Sequence, residues 1–409
     1  MQIETEREAT TPDLEGWPTF ALSTGNVRHI ALDEFRKVVT DGGDEAGFYA
    51  VQTGPGGSVA PRIVDCMEYS GDLCRAFLKD YLNVEAFSWP PEYLFLVNQP
   101  CYIAASSGVV FLADGRVIAD TLFPADNAVT EPRSIEDCIG GGLRADIIVE
   151  EIRQAPVLDR GLWAPLHSRW SNVYRHAISE SIVQDSVFRR SGLSRSIFYA
   201  ATAWPNGTRR FVMSRAHSPI MTFYPPLVLA PKAIFASKLY RHRPLGQEFL
   251  NAIEKHKACA LNRSQPATPA HRKVYVSRLG IDRRRMTNEA ELAAQLSQMG
   301  FHIVAPQTMP FDEQVRIFMG ARLIVGPYGS GLVNAAFAAP GAALCELRPL
   351  NAEYDAPLWD YYFLSMAATV GLQYGVYVAS NKPDAIEWEC DIPKVIGLID
   401  KISREIECG

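Results

Sequence analysis

Apolar and polar positions divide the chain into two series of elements. From Lys273 onward, short apolar runs alternate with stretches of helical period: a strand over Lys273–Ser277, a helix over Asn288–Met299, a strand over His302–Val304 and a helix over Phe311–Met319. A strand over Arg322–Val325, a helix over Leu332–Phe337 and a strand over Ala342–Leu347 complete the series. Parallel strands need a crossover and helices supply it, so this alternation predicts a parallel sheet of the nucleotide-binding type. Thr287 or Asn288 is placed to cap the first helix, and Glu289 and Glu291 suit its N-terminal dipole.

Upstream the pattern is mixed. Cys101 to Thr121 holds two β-rich runs joined at Ala113-Asp114-Gly115-Arg116, the chemistry of a hairpin turn. Helical period runs from Asn172 to Arg190, and strand-like runs follow at Ser196–Thr202, Arg210–Met213 and Leu227–Leu229. A chain of 409 residues is too long for one ordinary core. The expected organisation is a loose tail over 1–20, an N-terminal domain over 21–255 that opens β-rich and continues α/β, and a nucleotide-binding domain over 256–390. Between the domains lies a connector rich in Pro, Ser and Asn, Ala258 to Arg272. The amphipathic stretch Ile392–Ile406, within 391–409, is expected to form a helix that packs back on the N-terminal domain.

Composition narrows the function. The chain is 47% hydrophobic and 21% charged with a formal charge of −6, which argues against a broad nucleic-acid-binding face. No segment approaches the roughly 20 apolar residues that span a bilayer. The polar, acidic N-terminus lacks the basic start and apolar centre of a signal peptide, so a cytoplasmic address is expected. Eight scattered cysteines, without a Cys-x-x-Cys pair, read as reduced thiols and not as a metal site.

The candidate chemistry gathers at strand ends, where open α/β sheets bind ligands. Ser277-Arg278 follows the first strand of the series, and the next loop holds Arg283, Arg284 and Arg285. The later strand runs into "IVGPYGSGLVN", Ile324 to Asn334, with glycines at 326, 329 and 331. Glu346 ends the strand after that. Arginine matches phosphate oxygens, glycine lets backbone approach a bulky ligand, and a carboxylate suits a ribose diol. Each feature also has an ordinary reading, respectively a solvated loop, a tight turn and an ion-paired carboxylate. Their common edge favours an anion site. Gly329-x-Gly331-x-x-Asn334 half-matches a dinucleotide fingerprint, with Glu346 where a ribose-binding acid belongs, so an NAD-dependent oxidoreductase stays an alternative.

These residues carry a resemblance. Arg272 to Pro349 resembles the core of the family-61 glycosyltransferases, whose pattern is approximately "K-hydrophobic-Y-I-S-R … R-x-x-x-N-E … G-F … Q … A … G-x-H-G-A-G-L-x-N-x-x-F-x-x-P-G-A … E". Ser277-Arg278, Arg284, Asn288-Glu289, Gly300-Phe301, Gln314, Ala321, Gly326, Gly329, Gly331-Leu332, Asn334, Phe337, Pro340-Gly341 and Glu346 match in register. The chain departs from the pattern at Tyr328, where the family has histidine, and at Ser330, where it has alanine. Upstream, Asn172 to Ile182 resembles the family's "N-Y-Y-H-W-x-x-E-x-L-P" with one residue inserted, which places His176 and Glu180 on its His and Glu.

The resemblance implies the GT-B fold, two facing Rossmann-like domains with a cleft between them. It further implies an enzyme of polysaccharide biosynthesis, a hexosyl- or pentosyltransferase, and the missing signal anchor, which members working in secretory compartments need, makes a bacterial-type member the expectation. Such an enzyme moves a sugar from a nucleoside diphosphate, UDP foremost, to a hydroxyl acceptor with inversion and without a metal or other cofactor. Consistently, no Asp-x-Asp motif is present. Arg278, Arg284, Tyr328, Gly329, Ser330, Gly331, Leu332, Asn334 and Glu346 are then the expected donor-binding residues, with Glu346 on the ribose. His176 is the expected base, with Glu180, Asp185 and His167 in reserve. Trp163, Trp170 and Tyr174 are candidates for an acceptor-sugar platform. Tyr328 also keeps open a catalytically inactive nucleotide-sugar-binding protein, and a nucleotide-sugar epimerase is a further alternative. A glycan or glycoconjugate acceptor, if lipid-linked, would bring the chain to a membrane surface; oligomeric state is unassigned.

Overall fold

The computed structural model describes residues 19–20, 27–41, 45–68, 78–79, 82–105, 108–112, 114, 116–118, 121, 152–166, 174–201, 218–223, 227–237, 246–262, 272–350, 361–380 and 387–408. His167, Trp170, the run Arg210–Met213 and most of the expected connector lie outside them. The protein is mixed α/β with several sheets. It divides into one unit of Met1–Thr53 with Glu92–Lys238 and a second of Gly54–Pro91 with Leu239–Gly409. The divide therefore comes before the expected connector, whose first residues instead end a helix, α2 below. The second unit also takes in an early segment that local sequence pattern does not assign to it.

In the first unit, seven strands lie in the order Ile220–Thr222, Ile197–Ala201, Leu162–Pro165, Ala233–Ala236, Glu92–Asn98, Gly47–Gly54, Arg28–His29. The first four pair in parallel and Glu92–Asn98 runs antiparallel to its neighbour. A second sheet of five includes Cys101–Ala104, Val110–Leu112 and Val117–Ile118. The last two pair antiparallel across the expected hairpin turn. Phe95, Val97, Ile103, Val110 and Val228 pack between these sheets.

Helix α1 of the first unit runs Tyr174–His176, passes through a π-helical turn at Ala177–Ser181, and continues Ile182–Arg190. Its Val187 and Phe188 pack on Leu162, Ala164 and Tyr199 of the larger sheet.

The second unit is built on a six-stranded sheet. Its strands are β1 (Arg62–Glu68), β2 (Lys273–Val276), β3 (His302–Val304), β4 (Leu323–Pro327), β5 (Ala343–Leu350) and β6 (Gln373–Ser380). All pair in parallel in the order β3-β2-β4-β5-β6-β1. Its helices are α2 (Gln247–Asn262), α3 (Glu289–Gln298), α4 (Phe311–Gly320), α5 (Tyr362–Val370) and α6 (Ile392–Cys408). The segment after β4 is a 3₁₀ helix, Ser330–Phe337, where the sequence reads as an α-helix.

Helix α6 packs within the second unit. Its Val395, Leu398, Ile399 and Ile402 join Cys345, Leu347 and Tyr377 of β5 and β6 in one core of the second unit. The spacing 395, 398, 399, 402 is the apolar stripe of an amphipathic helix, and alternate residues of the two strands supply the facing surface. Asn288 does not cap α3 with its side chain. Its amide instead clamps Cys390, donating to the carbonyl at 2.7 Å and accepting from the N–H at 3.1 Å. Cys101, Cys345 and Cys390 are buried free thiols, and burial raises each thiol's pKa well above its usual range. No helix among the described residues is long and apolar enough to cross a membrane.

Candidate functional site

Chain direction decides where the second unit can bind a ligand. From β2 the chain moves outward to β3, then returns to place β4 on the other side of β2. At such a switch point the connections leave in opposite directions and open a crevice beyond the strand ends. Ser277-Arg278 leaves β2 there and Tyr328-Gly329 leaves β4. Buried Glu289, at the start of α3, fixes the first of these exits by accepting from Ser277 Oγ at 3.0 Å and from the Arg278 backbone N–H at 2.6 Å.

Arg278 lies mostly buried beside Gly329. A Cβ added to Gly329 would collide with Nη1 of Arg278 and stand 2.9 Å from its Cζ. Arg278 Nη2 donates to the Arg283 carbonyl at 2.6 Å, and its buried Nε has no hydrogen-bond partner among the described residues. Burial, with the charges of Arg284 and Arg283, pushes its pKa down to about 10, against the opposing pull of Glu289. The cation remains charged at neutral pH in surroundings that disfavour it.

The three consecutive arginines are sorted into different tasks. Arg283 gives its carbonyl to Arg278, and Arg285 pairs with Glu387 at 3.0 Å on the surface. Arg284 has φ 54°, the only positive φ among the described non-glycine residues. The left-handed region costs such a residue roughly 1–2 kcal/mol, so the surroundings must hold it there. Trp388 does so: its Nε1 donates to the Arg284 carbonyl at 3.1 Å, its N–H donates to Arg285, and its carbonyl accepts from Thr287 N–H. The guanidinium of Arg284 lies 4.6 Å from the centre of the Tyr328 ring.

Arg348, which the sequence reading does not single out, brings a second guanidinium to Tyr328, 5.0 Å from the ring centre. Gly326 pairs with Glu346 and Pro327 with Leu347, and Tyr328 N–H donates to Leu347 at 2.7 Å, so the register sets Arg348 beside Tyr328. Glu346 is fully buried; it accepts from the Tyr374 hydroxyl and lies 3.6 Å from Arg348 Nη1. This corrects the expected ribose contact. A carboxylate sealed from solvent and held by a tyrosine and an arginine is an anchor inside the sheet.

The glycine run also differs from expectation, because the protein fills most of the space it leaves. A Cβ on Gly326 would stand 2.9 Å from both the Cβ and the carbonyl of Val276, so that glycine permits close packing of β2 against β4. Leu332 and Asn334 are fully buried. Leu332 N–H returns to the Gly329 carbonyl, and Asn334 Nδ2 donates to Gln314 Oε1 at 2.8 Å. Both support the loop from within and present no side chain to a ligand. Of the run, Gly329 lies beside Arg278, whereas a Cβ on Gly331 would stand 3.2 Å from Val276.

In the first unit, His176 and Glu180 meet: Nδ1 to Oε1 is 2.6 Å, and both side chains are largely buried. Arg175 Nη2 stands 3.3 Å from His176 Nε2. Arginine can only donate, so this contact makes Nε2 the acceptor and puts the ring proton on Nδ1, where it is donated to Glu180. The π-helical turn between them, closed by Ile182 N–H on the Ala177 carbonyl, widens the helix at this pair. Asp185 accepts from the buried Tyr199 hydroxyl at 3.2 Å. Trp163 is buried, donates Nε1 to the Arg160 carbonyl and stacks on Phe198. It is a core residue and no platform for a sugar.

The sequence profile of a protein family described as Glycosyltransferase 61 matches residues 168–345. The chain carries a glycosyltransferase 61 domain. The matched residues take in His176, Glu180, Arg278, Arg284 and Tyr328, and end one residue before Glu346. No curated protein matches the chain. The glycosyltransferase 61 domain indicates glycosyltransferase activity, for which the family implies a nucleotide sugar and an acceptor as substrates.

Proposed function

We propose that the protein is an inverting glycosyltransferase that moves a sugar from a nucleoside diphosphate to a hydroxyl acceptor without a metal ion. The observation carrying this reading is the Arg278 guanidinium packed over Gly329 at the switch point, with Arg284 on the neighbouring loop. Departure of the sugar leaves an additional negative charge on the diphosphate. Preorganised guanidinium groups, shielded from water, can stabilise that charge as a metal would elsewhere. Each unit has its own sheet with a parallel series, which supports a GT-B assignment. His176, with Nδ1–H held by Glu180, is the proposed base.

A thermal-shift panel of nucleotide sugars tests this reading. The true donor should raise the melting temperature, because a ligand that binds only the folded state stabilises it. A panel with no stabilising nucleotide sugar, together with stabilisation by NAD, would turn the assignment toward an oxidoreductase.

Gly329→Ala tests the packing directly. Gly329 has φ 176°, an extended conformation open to alanine, and the three atoms nearest the added methyl all belong to the Arg278 side chain. The variant should fold with a stability change below about 1 kcal/mol and weaken nucleotide binding roughly tenfold or more by displacing that guanidinium. Unchanged affinity, measured by calorimetry, would show that Arg278 does not need this position.

A further inference from the structure

Arg348 lies outside the matched residues, yet it touches Tyr328, the position at which the chain departs from the family pattern. Its guanidinium is largely withdrawn from solvent, while Tyr328 is half-buried and Arg284 approaches the same ring. One continuous set of contacts therefore runs from Tyr374 through the carboxylate of Glu346 to Arg348, from Arg348 to the Tyr328 ring, and from that ring to Arg284.

We propose that Arg348 is a positioning residue of the donor site: anchored by Glu346 and laid against Tyr328, it fixes the ring that holds Arg284 for a nucleoside diphosphate. The proposal rests on the function proposed above and adds a residue to it. Guanidinium is planar and weakly hydrated, so it holds an aromatic ring in a way that an ammonium does not. Strand register brings Arg348 to the ring, and the buried carboxylate keeps it there. Arg284 sits on a loop, where a rigid partner can steady its side chain, and its guanidinium lies 4.6 Å from a ring centre. The Tyr328 ring is that partner, and its planar face does the work.

Calorimetric titration of the full chain with UDP, GDP and inorganic pyrophosphate tests the proposal in wild type, Arg348→Ala, Arg348→Lys, Tyr328→Phe and Tyr328→Leu. Arg348→Ala and Tyr328→Leu should each weaken binding about tenfold, and the two together should weaken it no further than either alone. Arg348→Lys should not restore affinity, and Tyr328→Phe, which keeps the ring, should lose less than Tyr328→Leu. Wild-type affinity in Arg348→Ala overturns the proposal. So do additive losses in the double variant, or a Tyr328→Phe loss as large as that of Tyr328→Leu. If Arg348→Ala does not fold, the two Tyr328 variants decide alone. A wild-type chain that binds none of the three probes overturns the diphosphate reading itself, and this inference with it, whereas binding that survives Arg348→Ala removes only the inference.

Discussion

Arg278→Met should abolish stabilisation by the donor nucleotide and leave the unliganded protein as stable as wild type or more so. Two effects of one cation are separated here. As the proposed ligand for the diphosphate, Arg278 would contribute a fixed donor fork at the switch point, and loss of one such preorganised group costs on the order of 10²–10³ in rate. As part of the fold, it is a charge taken from water and set near Arg283 and Arg284, and burial is the largest cause of its lowered pKa. A lowered pKa on a base means that the unfolded chain holds this proton more tightly than the folded one. The cost is therefore fully present below pH about 10 and relaxes only as the pH rises above that value. At neutral pH it is on the order of 1–3 kcal/mol, partly recovered through the bond to the Arg283 carbonyl. Methionine keeps most of the volume and removes the charge. Denaturant melts with and without nucleotide read both effects together. A variant that retains the donor-induced shift, or one that unfolds far more easily without ligand, would mean that Arg278 serves the fold and not the diphosphate.

A site that costs stability in this way was partly visible in the residues alone. The period of the apolar positions placed four of the six strands of the second sheet in order along the chain, since each crossover helix carries its own stripe; Arg62–Glu68 and Gln373–Ser380 are not read from it. Ser277-Arg278 and the arginine loop could be assigned to one edge because both follow strands of a parallel series. Three things could not be seen. Arg348 comes beside Tyr328 through the pairing of Gly326 with Glu346, and register between strands twenty residues apart leaves no local trace. A carboxylate at a strand end reads the same whether it faces a sugar or, like Glu346, the hydroxyl of a tyrosine on the next strand. The pinning of Arg284 by Trp388 joins residues about a hundred positions apart, one indole N–H on one backbone carbonyl, and such a pairing leaves no local pattern. Arg348 did have one signal: it stands two residues after Glu346, hence on the same face of the strand.

The helix of the first unit shows the same limit from the other side, and leads to the second large effect. The family pattern fits Asn172 to Ile182 only with one inserted residue, and the helix carries its π-helical turn beside that point, with His176 and Glu180 still in contact. A turn of this kind is less well bonded than an α-helical one and persists where the surroundings favour it. Here it accompanies a largely buried imidazole whose proton is donated to a carboxylate, which leaves Nε2 as the nitrogen able to accept another. Arg175 now occupies that nitrogen at 3.3 Å, a long contact that an acceptor hydroxyl would have to replace. His176→Asn should therefore lower sugar transfer by about 10²–10⁴-fold, the range for loss of a general base, while the donor-induced thermal shift persists. Glu180→Gln should fall between that variant and wild type, because glutamine can still accept from Nδ1–H but cannot offset the charge of the imidazolium formed in the reaction. Release of nucleoside diphosphate in the presence of acceptor is the quantity to measure. Transfer at the wild-type rate in His176→Asn would assign the buried pair to packing and move the search for the base to Asp185 and the other carboxylates of the first unit.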